Sequence, residues 1–480
     1  MSKIKSLVLG SAAAIVAIGG AQAADLPVKA KAVEYVKVCS LYGAGFYYIP
    51  GTDTCIRIGG YLRAEVNFGS ASTDATYISG AGGLGDRTTG DYYTRSRIMM
   101  NIDTRTATEY GVVRTFGAFG PQFNSGNVDG PDTQAAGSMR VEAAFIQFAG
   151  FTFGRSASAY ALPWNGAPGN LNSTLMGGPN YDAGVNNVQY TWQFGNGVSA
   201  SIGIDAQEQA NRVGVMNTSA AVDVYGAYGN AYRGSNAVDV VGNIRLDQAW
   251  GLIQLSAAAH QNTAAYNGTG AGATIISGHP GDKWGFAVTG ALQLKNLPTG
   301  PGDDIKISGT YTEGALRYVL GQSGATPRNF QRVDGGGLTF AGVPAADAVY
   351  SGGLGTGLEL TKAYGFNGAF NHNWNKNWSS SVFGSWSHVD YNANATALIC
   401  ATGYGATSTT CNPDFNVSQL GVSTTWKPVK NLAFIAEATW VNIKQNNTGV
   451  AAGTGVRAGQ NFAYGDQDAY SGVLRVQRNF

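Results

Sequence analysis

The sequence predicts an all-β fold, a transmembrane antiparallel β-barrel with sixteen strands, and three observations carry that expectation. From Ile56 onward much of the chain alternates apolar and polar residues with period two, the pattern of a strand lying between two unlike phases. Only 13% of the residues are charged, beside 53 aromatic residues and 69 Gly, whereas a soluble chain carries about 25%. Some of the surface therefore does not face water. After the N-terminal segment, no stretch approaches the roughly 20 continuous apolar residues of a membrane helix. In lipid only helices and closed barrels satisfy every backbone group, so a barrel remains.

The first 23 residues are read as a signal peptide. Lys3 and Lys5 precede an apolar run from Leu7 to Ile18 and then Ala21-Gln22-Ala23, the order of a secretory leader with a small-residue cleavage site. Its removal leaves 29 basic side chains against 30 acidic ones, a net charge near −1. Nothing in that balance recruits nucleic acid. Four cysteines in an exported chain suggest two disulfides. The local pairs Cys39 with Cys55 and Cys400 with Cys411 are expected, since each is close in sequence and sits outside the assigned strands. The four histidines, at 260, 279, 372 and 388, are scattered, so neither a metal site nor another cofactor is expected.

Residues 24–53 form a lead-in, placed in the periplasm, that ends in the turn cluster Ile49-Pro50-Gly51-Thr52-Asp53. The barrel is assigned to residues 54–480. Its first strand sets Ile56, Ile58, Leu62, Ala64, Val66 and Phe68 against Arg57, Tyr61, Arg63, Glu65 and Asn67. Tyr92 to Arg105 follows, with Ile98, Met100 and Ile102 opposite Arg95, Arg97, Asn101 and Asp103. Tyr110 to Phe119 has less clear phase and includes Arg114. Met139 to Ala149 sets Val141, Ala143 and Phe145 against Arg140 and Glu142, and Gly150 turns the chain into Phe151 to Arg155.

Further hairpins follow. Val188 to Phe194 and Val198 to Asp205 flank Gly195-Asn196-Gly197, a hairpin turn. Val238 to Leu246 pairs with Ile253 to Ala259, Trp284 to Leu294 with Ile305 to Tyr311, Tyr364 to Trp374 with Trp378 to His388, and Val417 to Trp426 with Leu432 to Trp440. The last strand, Asp468 to Phe480, ends on an aromatic residue in phase with its apolar face. Connections alternate between short and long, the largest running from about Thr312 to Glu359. Outer-membrane barrels have that asymmetry, with short periplasmic turns and long outer loops. Weak phase near Gly111 and Phe151 leaves fourteen or eighteen strands open.

Sixteen strands enclose a water-filled lumen, so the polar faces line it. Arg57, Arg63, Arg95, Arg97, Arg114 and Arg140 then crowd one arc of wall, with Glu65, Asp103 and Glu142 among them. Later strands offer mainly Ser, Thr, Gln and Asn. The arginines either focus field on passing ions or brace the wall by pairing with carboxylates. Six bases against three acids favour the first reading, and an Arg facing lipid instead would cost roughly 2–4 kcal/mol at midplane.

The segment Val38 to Tyr61, with its Cys39-Ser40-Leu41-Tyr42-Gly43-Ala44-Gly45-Phe46 start and its Gly51-Thr52-Asp53-Thr54-Cys55-Ile56-Arg57-Ile58-Gly59-Gly60-Tyr61 end, resembles the N-terminus of mature alphaproteobacterial porins, as does the aromatic C-terminus. The resemblance implies an outer-membrane homotrimer of sixteen-stranded barrels, each a passive diffusion pore for small hydrophilic solutes and ions. It also implies that the loop after the fifth strand, Ser156 to Gly184, folds inward as a constriction. In many general porins that loop presents several acids to an arginine wall. Here it holds only Asp182, with Arg155 at its start, so a mild anion preference or little selectivity is expected.

Two rival functions are weighed. A sugar-specific channel needs an aromatic track along the lumen, for which Tyr61 is an inward start, while Tyr160 and Trp164 sit in a loop. An anchored adhesin or receptor would act through its long loops. Trp192, Trp284, Trp378, Trp426 and Trp440 phase outward, as lipid-interface anchors or subunit contacts. Gly80 to Gly85 fits a dinucleotide-binding glycine pattern but lies in a loop with no helix after it. No G-x-S-x-G elbow occurs, and catalysis is not expected.

Overall fold

A computed structural model describes residues 37–69, 90, 92–125, 136–180, 184–207, 212–222, 226–321, 328–333, 338–453 and 458–480. The expected signal peptide, the start of the lead-in, the Gly80 to Gly85 run and Asp182 lie outside these residues.

Sixteen strands form one closed antiparallel barrel: β1 Thr54–Gly69, β2 Tyr92–Thr108, β3 Gly111–Asn124, β4 Ala136–Phe148, β5 Phe151–Ser156, β6 Val185–Gly195, β7 Val198–Ala206, β8 Val238–Gln248, β9 Gly251–Asn262, β10 Lys283–Lys295, β11 Asp304–Glu313, β12 Lys362–Asn373, β13 Trp378–Asp390, β14 Phe415–Val429, β15 Leu432–Gln445 and β16 Gln467–Asn479. Each strand pairs with its sequence neighbours. The seam closes where β16 pairs with β1, from Tyr61 opposite Asn479 to Gly69 opposite Ser471. Phe480 extends it by exchanging both main-chain hydrogen bonds with Gly60, at 3.0 and 3.1 Å. No helix among the described residues is long and apolar enough to cross a membrane.

The alternation sorts residues as a two-phase wall requires. On β1, Leu62 is 53% exposed on the outer surface, while Glu65 and Asn67 are buried inside. Ile202, Leu255, Ile307, Phe366, Val382, Leu420 and Leu474 continue the outer apolar band. Tyr110, Trp250, Trp374 and Phe480 are exposed at the short-turn end, and Tyr92, Trp284 and Tyr470 at the other, as aromatic girdles are. Trp192, Trp378 and Trp426 are exposed as expected, while Trp440 is half-buried and donates to Asp468 Oδ1 at 2.8 Å.

Two short turns explain their own tightness. Asn196 and Gly197 both have positive φ, 47° and 76°, as do Ala149 and Gly150, 49° and 88°. Two such residues in succession match the right-handed twist of the strands they join.

Three expectations need correction. Phe145 was expected on the outer face with Val141. A bulge between β3 and β4 sets Ala118 opposite Ala143 and Phe119 opposite Val141, leaving Glu142 as the extra residue. One extra residue reverses the phase, so Ile146 points outward and Phe145 turns in to stack on Phe116, centroids 5.3 Å apart. Cys55 lies inside β1 rather than before it. The long connections are also more ordered than their lack of alternation suggests. The one between β11 and β12 holds the helix Arg317–Leu320 and strands Arg328–Val333, Thr339–Ala345, Ala348–Tyr350 and Glu359–Leu360. It packs with three other long loops into a cap over the long-loop mouth, around Met216, Phe340, Val349, Tyr404 and Phe462.

Both disulfides form as expected. Cys39 and Cys55 tie the lead-in to β1, and Cys400 and Cys411 tie the cap helix Ala393–Cys400 to the approach to β14. The lead-in strand Tyr47–Tyr48 pairs with Cys55 and Ile56, bringing Phe46 under the guanidinium groups of Arg57 and Arg105, each 4.9 Å from the ring.

Candidate functional site

The interior faces of β1 to β4 and of β16 bring the predicted charged residues together. Glu65 stands in β1 directly opposite Arg95 of β2 on one side and Arg475 of β16 on the other. Its Oε1 is 2.9 Å from Arg95 Nη1 and its Oε2 is 2.6 Å from Arg475 Nε, with all three side chains at most 4% exposed. Buried charges persist only when paired and hydrogen-bonded. Arg95 accordingly also reaches Asn124 Oδ1 and the Tyr93 hydroxyl.

Nearer the short-turn end, Asp103 gathers three arginines. Arg114 donates to it at 3.0 and 3.1 Å, Arg105 at 3.1 and 3.3 Å, and Arg57 lies at 3.5 Å. Glu142 takes Arg140 at 3.1 Å and Arg97 at 3.4 Å. Arg63 is different. Its Nε donates to Gln477 Oε1 at 3.1 Å and its guanidinium lies 4.8 Å from the Tyr61 ring centre, with no carboxylate at ion-pair distance among the described residues.

All nine described members of the predicted set, Arg57, Arg63, Arg95, Arg97, Arg114, Arg140, Glu65, Asp103 and Glu142, therefore fall in one patch. Arg105 and Arg475 belong to it as well and were missed. Arg105 is in phase with Arg95, Arg97 and Asp103, which is a usable signal. Arg475 joins only because the barrel closes. The patch carries eight arginines and three carboxylates.

The loop between β5 and β6 enters the barrel and lies along the wall from β8 to β16. Tyr160 meets Thr289 of β10 at 2.7 Å, and Gln254 of β9 donates to Ala161 O at 2.9 Å. Lys306 and Asn371 both donate to Pro168 O, at 3.1 and 3.0 Å, and Ser423 donates to Gly169 O at 3.0 Å. Gln419 acts as a main-chain mimic: its Oε1 accepts from Met176 N at 2.8 Å and its Nε2 donates to Thr174 O at 3.0 Å. Gly177, at φ 81°, is needed because a Cβ there would overlap the Phe366 carbonyl oxygen.

The far end of the loop reaches the arginine patch. Leu171 N donates to Glu437 Oε2 at 2.6 Å, and Arg475 Nη2 donates to Asn172 Oδ1 at 2.7 Å. Tyr160 and Trp164 are buried between loop and wall, so neither presents a ring to the lumen. Gln419, Glu437 and Lys306 were not anticipated as loop anchors, because a polar residue on an inward face gives no sign of which backbone it will meet. The wall from β8 to β11 is also more charged than expected, with Arg245 and Lys295 on Asp247 at 2.6 and 3.1 Å and Lys306 on Asp304 at 3.2 Å. Charges there nearly balance.

The sequence profile described as Porin subfamily matches residues 25–473. The chain belongs to that porin family. Among curated relatives, Porin Omp2b of Brucella suis biovar 1 (strain 1330) is 36% identical over 256 residues, and Porin Omp2b of Brucella abortus (strain 2308) 37% over 256 residues. Each match covers 52% of this porin and 64% of the relative's length. Among solved structures, the outer membrane channel DcaP of Acinetobacter baumannii aligns with a TM-score of 0.56 at 14% identity, covering 90% of this chain and 99% of that one. The likeness to DcaP is one of fold. A porin whose barrel carries an apolar outer band resides in the outer membrane, with lipid against that band.

Proposed function

We propose that this porin is a water-filled, passive diffusion channel for small hydrophilic solutes and ions, with a mild preference for anions. The observation that carries the reading is the arginine patch facing the inward loop, eight arginines to three carboxylates, set in a low-dielectric wall that focuses field on the space before it. The Omp2b relatives bear the name porin, which supports the same reading.

The assembly is a homotrimer in this proposal. Support comes from a recess on the outer wall beside the seam, about 570 Å³, floored by Ala64 and Ala436 and flanked by Trp426, Phe434 and Leu474. A second copy would fill it.

Planar-bilayer recording of the unboiled protein in KCl tests both. Ohmic steps in groups of three, with a reversal potential displaced towards chloride in a salt gradient, are the expected result. A cation-selective reversal potential overturns the assigned preference, and solitary steps overturn the trimer. The second reading, surface binding through the long loops, draws on the packed cap; a folded barrel silent in KCl at every pH would favour it.

A further inference from the structure

The arginine patch is not uniform along its length. At the short-turn end it borders a recess of about 520 Å³, with Arg105 and Arg114 on one side and neutral polar groups of β4, β5 and β6 on the other. Tyr42 of the lead-in lines it too, in the loop stapled by Cys39 and Cys55.

Asp103, beside the recess, has no capacity left. Its Oδ1 accepts from Arg105 and Arg114 through their Nε atoms at 3.3 and 3.0 Å, and its Oδ2 accepts from their Nη2 atoms, both at 3.1 Å. Four bonds fill the acceptor sites of one carboxylate, and Arg57 stands at 3.5 Å. Three cations thus surround one anion. Arg114 makes one further bond, from Nη1 to Gln147 Oε1 at 2.9 Å. The remaining N–H groups of Arg105 and Arg114 have no acceptor among the described residues. Asp53 and Glu109, in turns at the same end, are exposed and pair with none of the three arginines.

The guanidinium groups are also held in place. Phe46 lies under Arg57 and Arg105, Tyr42 takes the face of Arg105 at 5.6 Å, and Phe116 and Phe145 take that of Arg114 at 5.1 and 5.5 Å. Cations braced on aromatic faces lose little freedom when they bind a further anion. The facing side of the recess has a different chemistry. Gln147 Nε2 donates to Thr152 Oγ1 at 3.1 Å, Thr191 Oγ1 meets Ser201 Oγ at 2.9 Å, and the exposed Gln193 amide has no bond among the described residues. Hydroxyl and amide groups both donate and accept, and none of these carries charge.

We propose that this recess is a binding site for sugar phosphates, with the phosphate on the free edges of Arg105 and Arg114 and the sugar hydroxyls on Thr152, Thr191 and Gln193. The inference rests on the diffusion-channel reading and names a solute class for it. A dianionic phosphate matches the uncompensated charge, and its oxygens match the guanidinium fork. The volume suits one small ligand. A simple anion would use only the basic half of the site.

The test is bilayer recording in about 0.1 M KCl at about pH 7.5, where a phosphomonoester is mostly dianionic. Glucose 6-phosphate is the probe, with inorganic phosphate and glucose as reference solutes. Glucose 6-phosphate is expected to interrupt the current at a concentration about fivefold below that of inorganic phosphate, and glucose not to interrupt it. Arg105→Gln should raise the half-blocking concentration of both phosphates about tenfold. Gln193→Ala, which removes no bond within the described protein, should raise that of glucose 6-phosphate alone. Heat-modifiable gel migration shows that each variant is folded. Equal half-blocking concentrations for the two phosphates, or variants that block as wild type does, overturn the site. If the folded barrel is silent in KCl, the channel reading fails instead. Equilibrium dialysis of glucose 6-phosphate against the detergent-solubilised protein then decides the site by itself: saturable binding weakened by both substitutions supports it, and no saturable binding, or binding indifferent to either substitution, overturns it.

Discussion

Glu65 and Arg475, 410 positions apart in the chain, meet at 2.6 Å across the seam that joins the first strand to the last. Arg95 holds the other oxygen of the same carboxylate at 2.9 Å. Glu65→Gln would leave two buried guanidinium groups facing a neutral amide, at a cost of about 3–5 kcal/mol. The transition from folded to unfolded migration on heating is expected to fall accordingly, and an unchanged transition would show that the seam does not depend on this carboxylate.

Arg63 isolates charge from stability. It bonds Gln477 and covers Tyr61, but has no carboxylate partner among the described residues. Arg63→Gln should cost about 1 kcal/mol or less and still move the reversal potential away from chloride. Glu142→Gln, which frees Arg97 and Arg140 from their shared acid, should move it the other way. Shifts of the same sign in both variants would rule out the patch as the source of selectivity.

Gln419 fixes the inward loop at two main-chain atoms. Gln419→Ala strands a buried donor and a buried acceptor, about 1–3 kcal/mol for each. Larger and noisier single-channel steps are expected, with the barrel still heat-modifiable. Steps of wild-type size and quietness would mean that the remaining anchors suffice.

Cys400 and Cys411 close a loop in the cap, 11 positions apart, remote from the barrel ladder. Replacing both by Ser removes about 3 kcal/mol of loop-closure stabilisation, and the effect should stay local. Protease should cut between residues 393 and 411 in the variant while the barrel migrates as folded; loss of the folded band altogether would show that the cap supports the wall.

The barrel is legible in the sequence because lipid outside and a wet interior impose opposite demands on successive residues, and most wall strands carry that mark, β3 and β5 least clearly. The bulge at Glu142 is not, since a single extra residue leaves both faces individually plausible and only the partner strand shows which way Phe145 turns. The cap is illegible for a different reason. Phe340, Ala341, Val343, Ala345 and Val349 lie on short strands that are buried on both faces, among other loops and the inner wall, so no apolar–polar alternation marks them. Arg105 could have been read from its phase. Arg475 required knowing that the last strand returns to the first.

The barrel grips the inward loop chiefly by its main chain: the carbonyls of Ala161, Pro168, Gly169, Thr174 and Met176 and the amides of Leu171 and Met176 receive the side chains of the wall. The docking address is thus written largely on the barrel, with the buried side chains of Tyr160, Leu162, Trp164 and Leu175 as the loop's own share of it. Substitutions that respect the path of the chain, with Gly177 as the fixed point, can alter what passing solutes meet without undocking the loop. The permeation properties of this scaffold are in that sense separable from its architecture, and the loop is the place where they can drift.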